Sequence, residues 1–167
     1  MHFKKIARHS KSEWNMFKNI AIILGLMMSG TIFCNAENLD GISIESLVIN
    51  SFNVDEINGL QHFVCTLSLV DNKKEGFDNY VEGDICPAGK KCSYSAIMKL
   101  NGKITILEQV SSEKNISTFK NDDMTIISTQ TPIKGSGDDE GGDVNAVITI
   151  KTKNGEKKVN MSGYCGI

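Results

Sequence analysis

"AVITIKTKNGEKKVNMSGYC", Ala146 to Cys165, decides the fold. Apolar and polar residues alternate on both sides of Asn154-Gly155. That pair favours a two-residue hairpin turn, because both residues tolerate positive φ. Pairing outward from the turn sets Ile150 opposite Val159, Ile148 opposite Met161 and Ala146 opposite Gly163 on one face. The other face then carries Lys151 opposite Lys158 and Thr149 opposite Asn160. One apolar and one polar face describe an antiparallel sheet with a single buried side. Lys151, Lys153, Lys157 and Lys158 read as a solvated face that discourages edge pairing, not as a binding patch.

The same alternation appears upstream. In "QHFVCTLSLV", Gln61 to Val70, residues Phe63, Cys65, Leu67 and Leu69 share one side, so Cys65 is expected to point inward. "YSAIMKLNGKITILEQV" is a second hairpin, around Asn101-Gly102. A three-residue loop from Leu100 to Gly102 matches Met98 with Ile104 and Ala96 with Ile106, with Gly102 left-handed. A two-residue loop would set Lys99 against Ile104, and the bulged form is preferred. Weaker strands are expected over Gly41 to Phe52 and Met124 to Gln130, with short turns in "DEINGL" and "SSEKNIS". Two long loops remain, Asp71 to Lys91 and Thr131 to Asp143. No segment after residue 36 keeps a helical period. The expected fold is all-β, a small antiparallel β-barrel or β-sandwich of about six to eight strands, stapled by disulfides.

The first 36 residues read differently. Lys4, Lys5, Arg8, Lys11 and Lys18 precede an uncharged run from Ile20 to Phe33, and Ala36 precedes the polar "ENLD". This is the layout of a signal peptide cut after Ala36, with Met16 as an alternative start. The run is shorter than the roughly 20 apolar residues a spanning helix needs, so no stable membrane anchor is expected after cleavage. Cys34 follows Phe33, where a lipoprotein signal needs a small residue, so it is expected to leave with the leader. Residues 37–167 then form one domain, with 13 basic residues against 19 acidic, a net of −6. That charge disfavours nucleic acid and suits a basic protein partner. The Lys-, Asn- and Ile-rich composition suggests an AT-rich bacterial gene.

Removing Cys34 leaves Cys65, Cys86, Cys92 and Cys165, an even number in an exported chain and hence two disulfides. "CPAGKKC" reads as a structural ring closed by Cys86 and Cys92, because redox-active pairs usually hold two residues between the cysteines and this one holds five. Cys65 with Cys165 is the remaining pair. "GSGDDEGGD" gathers Asp138, Asp139, Glu140 and Asp143. Its spacing does not fit a calcium loop, since the twelfth residue from Asp139 is Ile150. No metal and no cofactor is therefore expected.

"SAIMKLNGKITILEQVSS" resembles the strand-turn-strand of bacterial periplasmic inhibitors of c-type lysozyme, which are small, acidic-leaning β-barrels with a signal peptide and a disulfide. The Ser-Gly-x-x-Tyr motif of that class is absent, and "ISTFKNDD" stands where it would fall. The resemblance implies a fold and carries over no functional residue.

The expected function is that of an exported bacterial binding protein, periplasmic or secreted, non-catalytic and monomeric. It would be of the inhibitor or immunity kind and would act on a protein partner. Rigid strands leave contact chemistry to loops, so Asp138, Asp139, Glu140, Asp143, Lys90 and Lys91 are the candidate contacts. A structural or assembly component of the envelope is a second reading. A hydrolase using His62, the only histidine after residue 36, is a third.

Overall fold

The computed structural model describes residues 43–71, 73–137 and 140–166. The expected leader, Cys34, Asp138 and Asp139 lie outside the described residues. Among the described residues nine strands follow in order: β1 (Ile49–Asn50), β2 (Leu60–Leu69), β3 (Tyr80–Ile85), β4 (Ser93–Leu100), β5 (Lys103–Glu113), β6 (Ile116–Lys120), β7 (Met124–Pro132), β8 (Gly141–Thr152) and β9 (Gly155–Gly166). From β2 to β9 every strand pairs antiparallel with the next, and β9 returns to pair with β2. The fold is thus a closed up-and-down barrel of eight strands, not a sandwich. Closure gives β2 and β9 a partner on both sides, which removes the two edges an open sheet would present. β1 takes up β4 where β3 stops: Ile49 and Asn50 face Leu100 and Lys99, just beyond the last β3–β4 pair, Tyr80 with Met98.

A barrel of eight strands is just wide enough for side chains to fill it. Leu67, Tyr80, Met98, Leu107, Phe119, Ile126 and Ile148 are fully buried in that interior. One end is plugged by a 3-10 turn, Ile44–Ser46, whose Ile44 joins Leu47 in the core. Lys157 Nζ fastens this plug by donating to the Leu47 carbonyl at 2.6 Å. The chain then crosses the outside of the barrel. Phe52 and Ile57 pack there with Val81, Ile85 and Ile97 in a second apolar cluster. A short turn, Val54–Glu56, is held by an Asn53 capping box, and Glu56 forms an ion pair with Lys99 at 2.7 Å.

This outer cover explains several departures from the sequence reading. β3 falls inside the expected loop Asp71 to Lys91. It is buried on both faces, so "YVEGDI" lacks the one-sided alternation that reveals a half-exposed strand. The β4–β5 hairpin has the two-residue turn Asn101-Gly102, with φ of 49° and 81°, and pairs Lys99 with Ile104 and Met98 with Thr105. The bulged register is therefore wrong. Mixed faces cost little here, because Ile97 on the outer face of β4 is as buried as Met98 on the inner one. The first strand clamps the turn: Asn101 Oδ1 accepts from the Val48 amide at 2.8 Å, and Asn50 Oδ1 accepts from the Gly102 amide at 2.7 Å. The expected strand over Gly41 to Phe52 is instead the plug, the two residues of β1 and an isolated bridge from Phe52 to Asp78.

The β8–β9 hairpin turns at Lys153-Asn154, with Thr152 facing Gly155. Ile148 therefore faces Val159 and Ala146 faces Met161, two residues away from the expected register. An even slip keeps the same residues inside. It also replaces the expected facing of Lys151 and Lys158 with a Lys151–Glu156 pair, in which Glu156 reaches Lys151 at 3.5 Å and Lys158 at 3.2 Å. Phe63 is the other departure. Register shifts in β2 on both sides of His62-Phe63 turn it outward, and it is 53% exposed.

Candidate functional site

At the end of the barrel opposite the plug, the described residues leave recesses. The ring Cys86 to Cys92, the Lys114-Asn115 turn and the loop after Ile133 all emerge there. The interior changes character toward it. On β3, Tyr80 and Glu82 are two residues apart and so point to the same side, into the barrel. Glu82 is only 3% exposed. Its Oε1 accepts from the Tyr80 hydroxyl at 2.6 Å and from Gln130 Nε2 at 3.1 Å, and its Oε2 accepts from the Tyr94 hydroxyl at 3.2 Å. Gln130 Nε2 also lies 3.2 Å from Ser128 Oγ. β3, β4 and β7 thus bring three polar side chains to one carboxylate. Cys65 and Cys165, opposed across β2 and β9 and joined as a disulfide, form one wall. The recess measures about 290 Å³, and Lys114 and Asn115 stand at its rim.

The electrostatics follow from that arrangement. Burial, and then the Glu82 charge beside it, push the Tyr80 phenol well above its ordinary range. The same two causes, in the same order, raise Tyr94. A tyrosine with a raised folded pKa holds its proton longer when folded, so its contribution to stability is full below the unfolded value of about 10 and is lost as pH rises beyond it. Chemical denaturation should therefore show a flat alkaline limb up to about pH 10. Above that, stability should fall by about 1.4 kcal/mol per pH unit from Tyr80 alone. Tyr94, raised by the same causes, adds a like slope, so Tyr80→Phe should remove about half of the total; an unchanged slope in that variant would place the titrating group elsewhere.

Of the residues expected from sequence, the described cysteines, lysines and carboxylates lie toward this end of the barrel. Cys65–Cys165 and Cys86–Cys92 are both paired as expected. Lys90 and Lys91 are exposed on the Cys86 to Cys92 ring. Glu140 and Asp143 are exposed where the chain enters β8. A second recess of about 300 Å³ beneath that loop shares Gln130, Cys165 and Gly166 with the first. The β3–β4 and β7–β8 connections are four strands apart in a barrel of eight, so they stand on opposite sides of one mouth. His62 is exposed on β2 in a smaller groove with Phe63 and Tyr164, outside the Glu82 recess. Among the described residues, no three His, Cys, Asp or Glu side chains cluster to hold a metal ion.

Glu82, Tyr80, Tyr94 and Gln130 escape sequence reading. In "YVEGDI" the apolar Val81 and Ile85 would be placed inward and Tyr80 and Glu82 outward, the reverse of what the structure shows. A usable signal was the phenol two residues from a carboxylate on a strand. Compared with known proteins, the chain matches no family model, no curated sequence and no solved structure.

Proposed function

We propose that this is an exported, non-catalytic binding protein that engages a basic protein partner through the end of its barrel opposite the plug. One observation carries the reading: two sequence-distant loops, one acidic and one a disulfide-bound ring with Lys90 and Lys91, flank the same mouth, while the other end is plugged. The two disulfides are compatible with an oxidising, exported location. No helix among the described residues is long and apolar enough to cross a membrane. A periplasmic or secreted monomer, released by cleavage after Ala36, fits these facts. The closed barrel supports it over the envelope-subunit reading, since strand exchange needs an unpaired edge.

The acidic loop, Asp138 to Asp143, would steer a basic partner, and the disulfide-bound ring lowers the ordering cost of contact. Residues 37–167 would be used to capture the partner from envelope extracts, and association would then be followed by surface plasmon resonance. Changing Asp138, Asp139 and Asp143 together to Asn should slow association about tenfold at low salt, and the effect should fade as screening rises. An unchanged on-rate at low salt would remove the acidic loop from the interaction.

A further inference from the structure

The carboxylate lining the recess is held by neutral groups, and Lys114 lines the same recess without forming an ion pair to it among the described residues. Among the described residues Glu82 makes no ion pair, and the three side chains that donate to it, Tyr80, Tyr94 and Gln130, are all neutral. A carboxylate offers about four acceptor positions. Oε1 uses two of its own, for Tyr80 and Gln130, while Oε2 accepts only from Tyr94. One acceptor position on a buried anion therefore remains, on an atom of a residue that lines an open recess of about 290 Å³. Burying a charge is costly unless it is paired, and here only neutral donors reach it.

We propose that this recess binds an organic cation, an alkylammonium or guanidinium group, with Glu82 as its counter-ion. The cation would donate to the remaining acceptor position on Oε2. The Tyr94 ring, set against Phe119 with centroids 6.2 Å apart, offers an aromatic wall to the stem of the cation. The phenols and Gln130 hold the carboxylate in place, so the site is formed before the cation arrives. Lys114 at the rim opposes entry by its like charge.

The same chemistry has two sources: a free amine, or a lysine or arginine side chain of the partner. The proposal extends the binding role above, yet it is tested without a partner, so either can fail alone. Residues 37–167, isotopically labelled and oxidised, would be titrated with butylammonium, with capped lysine and arginine, and with butanol as the uncharged control. Saturable shifts of the Gln130 side-chain amide and the Tyr94 ring are expected with the cations and not with butanol. Glu82→Gln keeps the shape and should weaken binding about tenfold or more. If that variant does not fold, Lys114→Asn serves instead. Asn suits the positive φ of 53° at that turn, and binding should tighten severalfold. Capped residues that bind as well as butylammonium point to a partner side chain; butylammonium alone points to a free amine. The proposal is overturned if no cation gives a saturable shift, if butanol gives the same shift, if Glu82→Gln binds equally, or if Lys114→Asn fails to tighten binding.

Discussion

Gly163→Ala should destabilise the barrel by about 3 kcal/mol or more. Gly163 lies on β9 directly opposite Leu67 of β2 and opposite Val144 of β8. A Cβ placed there would stand 2.0 Å from the Thr66 carbonyl oxygen and 3.0 Å from the Leu67 Cα. Both are backbone atoms, so no rotamer change relieves the clash, and β2 and β9 must move apart. That seam is the closure of the barrel, so the cost includes its cross-strand hydrogen bonds. Gly83 repeats the arrangement on the other side of β2, where a Cβ would meet the His62 carbonyl oxygen at 2.3 Å. Urea denaturation of the oxidised protein measures the effect, with Ser162→Ala as a neighbouring control. A loss below about 1 kcal/mol at Gly163 would mean that the strands are not this close.

Removing the Cys65–Cys165 bond should cost about 2–5 kcal/mol, and removing Cys86–Cys92 less. The first bond spans 100 residues of sequence and the second spans six. In the chain-entropy view, a closed loop of about 100 residues restricts the unfolded chain by nearly 5 kcal/mol, and a loop this short by about half of that. Position adds to length. Cys65 and Cys165 are directly opposed, with Cα atoms 4.1 Å apart, at the one strand pair that joins the chain's first and last barrel strands. Paired Cys→Ser variants, compared by denaturation, give the two values. The reverse order would show that the β2–β9 seam closes without help from its staple.

The particular residues show how far sequence reading reached. The hairpin from Ala146 to Cys165 was legible because one of its faces is wet, and the alternation survived a two-residue error in register. Cys65 does point inward, and its pairing with Cys165 is the one left once Cys86 and Cys92 close their ring. β3 was not legible, because residues 52–57 cover its outer face and the barrel covers its inner one. The turn at Asn101-Gly102 was misjudged for the same reason: matching apolar with apolar assumes one dry face, and β4 has two. The Glu82 recess was the least legible feature. Its residues come from β3, β4 and β7 and converge only when the barrel closes, so no local spacing announces them. The loops around the mouth could be read as loops, but their presence at one end follows from strand order alone.

Closure of β2 on β9 underlies the core, the recess and the gathering of the loops at one mouth. The most direct test is a nuclear Overhauser contact between the Leu67 and Gly163 α-protons. These residues are two positions from Cys65 and Cys165, whose 4.1 Å Cα separation marks a non-hydrogen-bonded pair. In such pairs the α-protons face each other closely, and pairs two residues along an antiparallel ladder are of the same kind. A strong contact is expected in oxidised protein comprising residues 37–167. Its absence, with fast amide exchange along β2 and β9, would mean an open sheet with two free edges and would contradict the closed barrel.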